Sequence, residues 1–112
     1  MNTCSLVGHV SRAPTVRFEG DGAQITTFTL AIDERSYGPE RKAYTLYVPC
    51  TSWGKSAEAC SLLNSQDLVA VQGKLTWRKQ VGKCKQEHAS LCVRVQDMQV
   101  LEPAQALGAD SG

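Results

Sequence analysis

Through most of its length the chain alternates apolar and polar residues with a period of two. In CSLVGHV, Cys4, Leu6, Gly8 and Val10 share one face. In TTFTLAI, Phe28, Leu30 and Ile32 point one way while Thr27, Thr29 and Ala31 point the other. Between Tyr44 and Trp53, Leu46, Val48 and Cys50 oppose Tyr47, Pro49, Thr51 and Trp53. Successive side chains leave a strand on opposite faces, so this period predicts half-buried β-strands around a single core. Phe28 belongs to that core, with Leu30 and Ile32 on its face.

The punctuation between the runs fits the same picture. Arg12-Ala13-Pro14 breaks the first strand, and a short extended piece follows from Thr15 to Phe18. Gly20-Asp21-Gly22 predicts a hairpin turn, since glycine readily takes positive φ. Glu34 to Ala43 is polar, contains Gly38-Pro39 and reads as a mobile loop. Pro49 has no N–H for a ladder, which predicts an edge position or a bulge. One helix is expected, Ser56 to Leu63, with Ala59, Leu62 and Leu63 inward and Asn64 as a left-handed stop. A strand from Leu68 to Lys79 and a turn at Gly82 come next. The last segment, Cys84 to Leu101, is too long for one flat strand. Its apolar parity changes between Val95 and Met98, which predicts a bulge near Gln96.

Five strands with one short helix between the third and fourth give an all-β class and the element order of a five-stranded oligonucleotide-binding (OB) barrel. Other small barrels share that order. The 112 residues suit one domain. Residues 1–102 are expected to form it, with a small polar tail over 103–112 expected to be disordered.

Composition narrows the function. No run approaches the ~18 apolar residues of a membrane span, and the N-terminus shows no secretion-signal pattern, so a cytoplasmic location is expected. Cys4, Cys50, Cys60, Cys84 and Cys92 are odd in number with no Cys-x-x-Cys pair, which fits reduced thiols acting as small apolar residues. Cys84, His88 and Cys92 recur every fourth residue and would line one face of a helix, but the flanking pattern is strand-like and no fourth ligand is evident. No metal and no cofactor are therefore expected. Catalysis is not expected either: there is no nucleophile–base–acid set and no phosphate-binding glycine loop. The net charge of +1 is uninformative, but its distribution is not. Between Asp67 and Glu87 there is no acid, yet Lys74, Arg78, Lys79, Lys83 and Lys85 fall there. Alone, that run is also what a solvated face would show.

Four local signatures occur in order: LVGHVSRAPTVR (Leu6 to Arg17), FTLA (Phe28 to Ala31), WGKSAE (Trp53 to Glu58) and VQGKL (Val71 to Leu75). Together, across residues 2–101, they resemble the DNA-binding domain of bacterial single-stranded DNA-binding proteins. The resemblance implies an OB fold and assembly as a homotetramer or, less often, a dimer. It also implies sequence-independent coating of single-stranded DNA in replication, recombination and repair, at the nucleoid. Two features depart from the pattern. Family members usually end in an acidic, aromatic-tipped peptide that recruits repair enzymes, whereas this sequence ends Asp110-Ser-Gly112. Where members place stacking tryptophans, this chain has Tyr47 and, late in the fourth strand, Gln80; Trp53 stands where phenylalanine is common. Primosomal replication protein N, a shorter dimeric OB protein of replication restart acting through protein contacts, is the alternative, although it matches WGKSAE poorly.

A binder of unpaired strands needs aromatic planes for bases and cations for phosphates. Trp53 is the leading stacking candidate, with Gly54 expected to leave space beside the indole and Lys55 to meet a phosphate. The structural alternative has Trp53 plugging one barrel end beneath the helix. Tyr47 shares its face, and Tyr37 in the polar loop is a second-rank platform. For Trp77, core packing, a subunit contact and DNA contact all stay open. The favoured cations are Arg12, Arg17, Arg35, Lys55, Lys74, Arg78 and Lys79.

Overall fold

The computed structural model describes residues 1–81 and 87–104, with side chains for residues 1–78 and 90–104. The elements run β1 (Cys4–Val10), β2 (Thr15–Phe18), β3 (Gln24–Arg35), β4 (Ala43–Trp53), α1 (Lys55–Ser61), β5 (Leu68–Val81) and β6 (Glu87–Glu102). The sheet order is β1-β5-β6-β4-β3-β2, and β1 also pairs with β3. That extra pairing closes β1, β3, β4, β6 and β5 into a five-stranded ring, the OB barrel expected from the element order. The short extended piece is a strand in its own right, β2, appended to β3 from Thr15↔Thr27 to Phe18↔Gln24.

The alternation places the core where the pattern predicts. Val10, Phe28, Leu30, Cys50, Val69, Val71, Val93 and Val95 fill the interior, and Leu6, Ile32, Val48 and Met98 pack against them. In β6, Gln96 has no partner between the pairs Gln72↔Asp97 and Gly73↔Val95, which is the bulge that the parity change predicts. There Gly73 approaches β6 so closely that a Cβ would stand 2.1 Å from the Arg94 carbonyl oxygen. Pro49 is the last residue before β4 meets β6, whose pairing is Cys50↔Val93 and Thr51↔Arg94. Its missing N–H therefore falls at an edge. The turn between β2 and β3 closes with Gly22 N–H donating to the Glu19 carbonyl at 2.8 Å, with Gly22 at φ +88.

Several expectations need correction. The loop after β3 is shorter than Glu34 to Ala43, because β3 continues through Arg35 and β4 begins at Ala43. Leu46 has the parity of the core but is exposed, since the β3–β4 hairpin runs past the barrel end. The helix buries Ala57 and Cys60, with Leu63 beyond its end, while Ala59 and Leu62 face outward. The inward positions are thus spaced by three from Ala57, two residues earlier than expected. The chain turns left-handed at Gln66 (φ 77), not at Asn64. Asp67 secures that turn: its buried carboxylate accepts from the Asn64 N–H at 2.8 Å and the Ala104 N–H at 2.7 Å. Among the described residues no helix is long and apolar enough to cross a membrane.

Candidate nucleic-acid interface

Directly paired strand residues share a face, so the register defines what the outer surface gathers. Arg17, Ile25 and Trp53 form one row across β2, β3 and β4. Thr15, Thr27 and Thr51 form the next, continued by Arg94 of β6 and Lys74 of β5. Thr29 and Pro49, then Ala31 and Tyr47, continue the surface along β3 and β4. Beyond the β4–β6 pairing, β5 and β6 leave β4 as a two-stranded arm.

Between that arm and the β2–β3–β4 surface lies a cleft of about 200 Å³, lined by Arg17, Thr27, Thr51, Trp53, Thr76, Trp77, Arg78, Cys92 and Arg94. A second hollow of about 140 Å³ is bounded by Arg12, Ala13, Thr15, Thr27, Phe28, Thr29, Pro49 and Arg78. Thr27 and Arg78 belong to both, so the two make one continuous trough. No carboxylate lines either part, while Arg12, Arg17, Arg78 and Arg94 do. The surface is therefore built to attract an anion.

Trp53 is 40% exposed, so the indole does not plug the barrel. Its cross-strand neighbour Ile25 is fully buried beside it. The Arg94 guanidinium carbon lies 5.7 Å from the centre of the ring. Gly54 follows with φ 62 and caps α1 without a side chain, its N–H donating to the Gln24 carbonyl at 3.0 Å. A Cβ there would meet nothing within 4 Å apart from its chain neighbours, and the positive φ of the turn is what favours glycine. Past that turn Lys55 departs from Trp53 and lines a different cleft, with Gln96, Asp97 and Met98.

The other candidates divide clearly. Trp77 is 65% exposed and shares the cleft with Trp53, which excludes core packing. Tyr47 is exposed two residues along β4 from Pro49, on the same face. Lys74 stands directly opposite Arg94. Arg35 and Tyr37 are not brought to the trough: Arg35 lies at the far end of β3, beside Asp33 and Glu34, and Tyr37 is fully exposed in the loop beyond. Cys84 and the side chains of Lys79 and His88 lie outside what is described, and the His88 and Cys92 backbone belongs to β6, not to a helix. Sequence reasoning missed Arg94. Its signal was the Val93-Arg94-Val95 alternation, which sets a lone cation on the outer face of a core strand.

Burial holds the interior thiols neutral. Cys50 is pushed up to about 12, chiefly by desolvation and further by neighbouring Cys60 and Cys92. Cys60 is raised by burial too, partly offset by a hydrogen bond with Ser52. These thiols pack; they are not ionised at neutral pH.

Comparison with known proteins adds independent support. The family profile described as "Single-strand binding protein family" matches residues 1–101. A protein named "Single-stranded DNA-binding protein" from Caldanaerobacter subterraneus subsp. tengcongensis is 30% identical over 112 residues, covering 99% of this chain and 75% of its own length. "Single-stranded DNA-binding protein A" of Bacillus subtilis is 28% identical over 113 residues, 100% of this chain and 66% of that protein. A Clostridium tetani protein with the first name is 31% identical over 85 residues, 74% of this chain and 58% of the relative.

Proposed function

The chain belongs to the single-strand binding protein family, and from that membership we propose that it binds single-stranded DNA without reading its sequence. One observation carries the reading: two exposed tryptophans, Trp53 and Trp77, line a carboxylate-free cleft with Arg17, Arg78 and Arg94. Bases from an unpaired strand are free to stack on the indoles, while the arginines neutralise phosphates on either side. From there the strand follows the trough past Arg78 and Thr27 to Arg12 and Pro49, and on to Tyr47. Every base has a flat face, so stacking of this kind tolerates any sequence. A duplex keeps its faces paired and stacked, and it is the poorer ligand.

The biological role we propose is coating and protecting single strands in replication, recombination and repair, in the cytoplasm, by binding alone and without catalysis. A homotetramer or homodimer is the assembly in view. The test is a titration of oligo-dT against the same length of duplex at a series of salt concentrations. The expected result is quenching of tryptophan emission by oligo-dT, with log affinity falling linearly in log salt by about 0.7 for each phosphate neutralised. Equal affinity for duplex, or binding indifferent to salt, would overturn the reading. Light scattering of the same samples gives the mass of the free protein and of the complex.

A further inference from the structure

Arg94 stands in a place that repels it. Lys74 is its direct partner across the β5–β6 ladder, and like charges set opposite one another disfavour the pairing. Among the described residues the one ion pair is Lys42 with Glu40, on the distant β3–β4 loop, so neither Arg94 nor Lys74 is matched by a carboxylate there. What Arg94 has instead is Trp53, whose ring centre lies 5.7 Å from its guanidinium carbon. A guanidinium is planar and weakly hydrated, and it uses an indole face much as a nucleobase does. A guanidinium is thus already within reach of the indole in the free protein. It is, moreover, a group well suited to hold a phosphate.

We propose, resting on the single-strand reading of the trough, that Arg94 is an exchangeable cap on Trp53. In the free protein it covers the indole; the base that stacks on Trp53 displaces it, and the freed guanidinium moves to that nucleotide's phosphate beside Lys74. The incoming anion then relieves the Lys74–Arg94 repulsion. Base stacking and phosphate neutralisation become one coupled event at this position. A polyanion without bases gains the charge contact but has no flat group to exchange for the guanidinium, so it leaves the cap in place.

The experiment uses full-length protein carrying Trp77→Phe, so that Trp53 is the one tryptophan whose emission is read. It compares Arg94 with Arg94→Met, which keeps length without charge or plane, and with Arg94→Lys, which keeps the charge. Both substitutions are expected to change Trp53 emission before any DNA is added. Against oligo-dT, Arg94→Met is expected to lower the salt slope by about 0.7, the value for one phosphate on a single strand. At high salt, where the phosphate contact is screened, it is expected to bind as tightly as the parent or more tightly. Arg94→Lys should keep the slope. Polyphosphate should leave the emission of the Arg94 protein unchanged. Identical free emission in all three proteins, or a loss of affinity by one constant factor at every salt, would overturn the cap while leaving the single-strand reading intact. Failure of the protein with both Trp77 and Arg94 intact to bind oligo-dT would instead overturn that reading.

Discussion

At two seams of this barrel strands approach too closely for a side chain, and the residue is glycine; the outer trough instead carries tryptophan and arginine. A Cβ on Gly8 would stand 2.6 Å from the Ala31 carbonyl oxygen, and one on Gly73 2.1 Å from that of Arg94. Trp53 and Trp77, by contrast, present rings that are 40% and 65% exposed. One period-two pattern produced both regions. The inward positions had to shrink wherever strands cross, because the ring closes by backbone contact. The outward positions over β3 and β4 were free to carry large planar groups, because no second layer covers them in the chain. On β3 and β4, folding and binding are therefore written on opposite faces of the same strands, and substitutions should separate them.

The largest expected effect falls on the seam. Gly73→Ala sets a methyl against backbone that cannot rotate away, so its cost should reach the ~3 kcal/mol upper end of overpacking. The melting temperature should drop sharply, and whatever protein stays folded should still bind oligo-dT. On the trough, Trp53→Ala should weaken oligo-dT binding by about 1–3 kcal/mol, the scale of one base–aromatic stack. Circular dichroism should show the same fold. If Gly73→Ala spared the melting temperature while Trp53→Ala abolished folding, the division between seam and trough would be wrong.

Smaller effects sharpen the comparison. Arg78→Gln, at the junction of the two hollows, should lower the salt slope by about 0.7 and weaken every sequence alike. A preference among bases appearing in that variant would point to base readout in place of phosphate contact. In the interior, the folded-state thiol of Cys50 lies at about 12 against an ordinary 9.0. Below pH 9 both folded and unfolded chains keep that proton, and its contribution to stability is complete. Between 9 and 12 the unfolded chain ionises first, so stability is lost as pH rises. Cys50→Ala should flatten that alkaline decline in the melting temperature relative to the parent. Smallest of all, Tyr37→Ala and Arg35→Gln should leave oligo-dT affinity within about 0.5 kcal/mol of the parent, as exposed substitutions away from the trough do.

Much of this was legible in the residues because alternation reports which face a side chain takes. It located Phe28 and Leu30 in the core and the irregularity at Gln96, and it put Trp53 on the outer face with Tyr47. It did not report whether anything stands opposite that face. Leu46 and Trp77 carry inward parity but sit where the β3–β4 hairpin and the β5–β6 arm outrun the barrel, so both are exposed. The cations show a second limit. Counting charges along the chain singled out the run from Lys74 to Lys85, of which Arg78 lines the cleft; Arg94, brought there by pairing with Thr51 of β4, lies outside that run. Lys55 stays off the trough for a local reason: the chain turns at Gly54, with positive φ, immediately before it. Neighbours in sequence are not neighbours at a site once such a turn intervenes.

Cross-linking tests the central claim most directly. Oligo-dT carrying bromodeoxyuridine, irradiated in complex with the protein, reacts with aromatic rings that touch the bases, and peptide mapping then locates the adducts. Adducts at Trp53 and Trp77, suppressed by excess oligo-dT and by high salt, are the predicted result. Adducts confined to the separate cleft around Lys55 and Met98, with both tryptophans unmodified, would contradict the account.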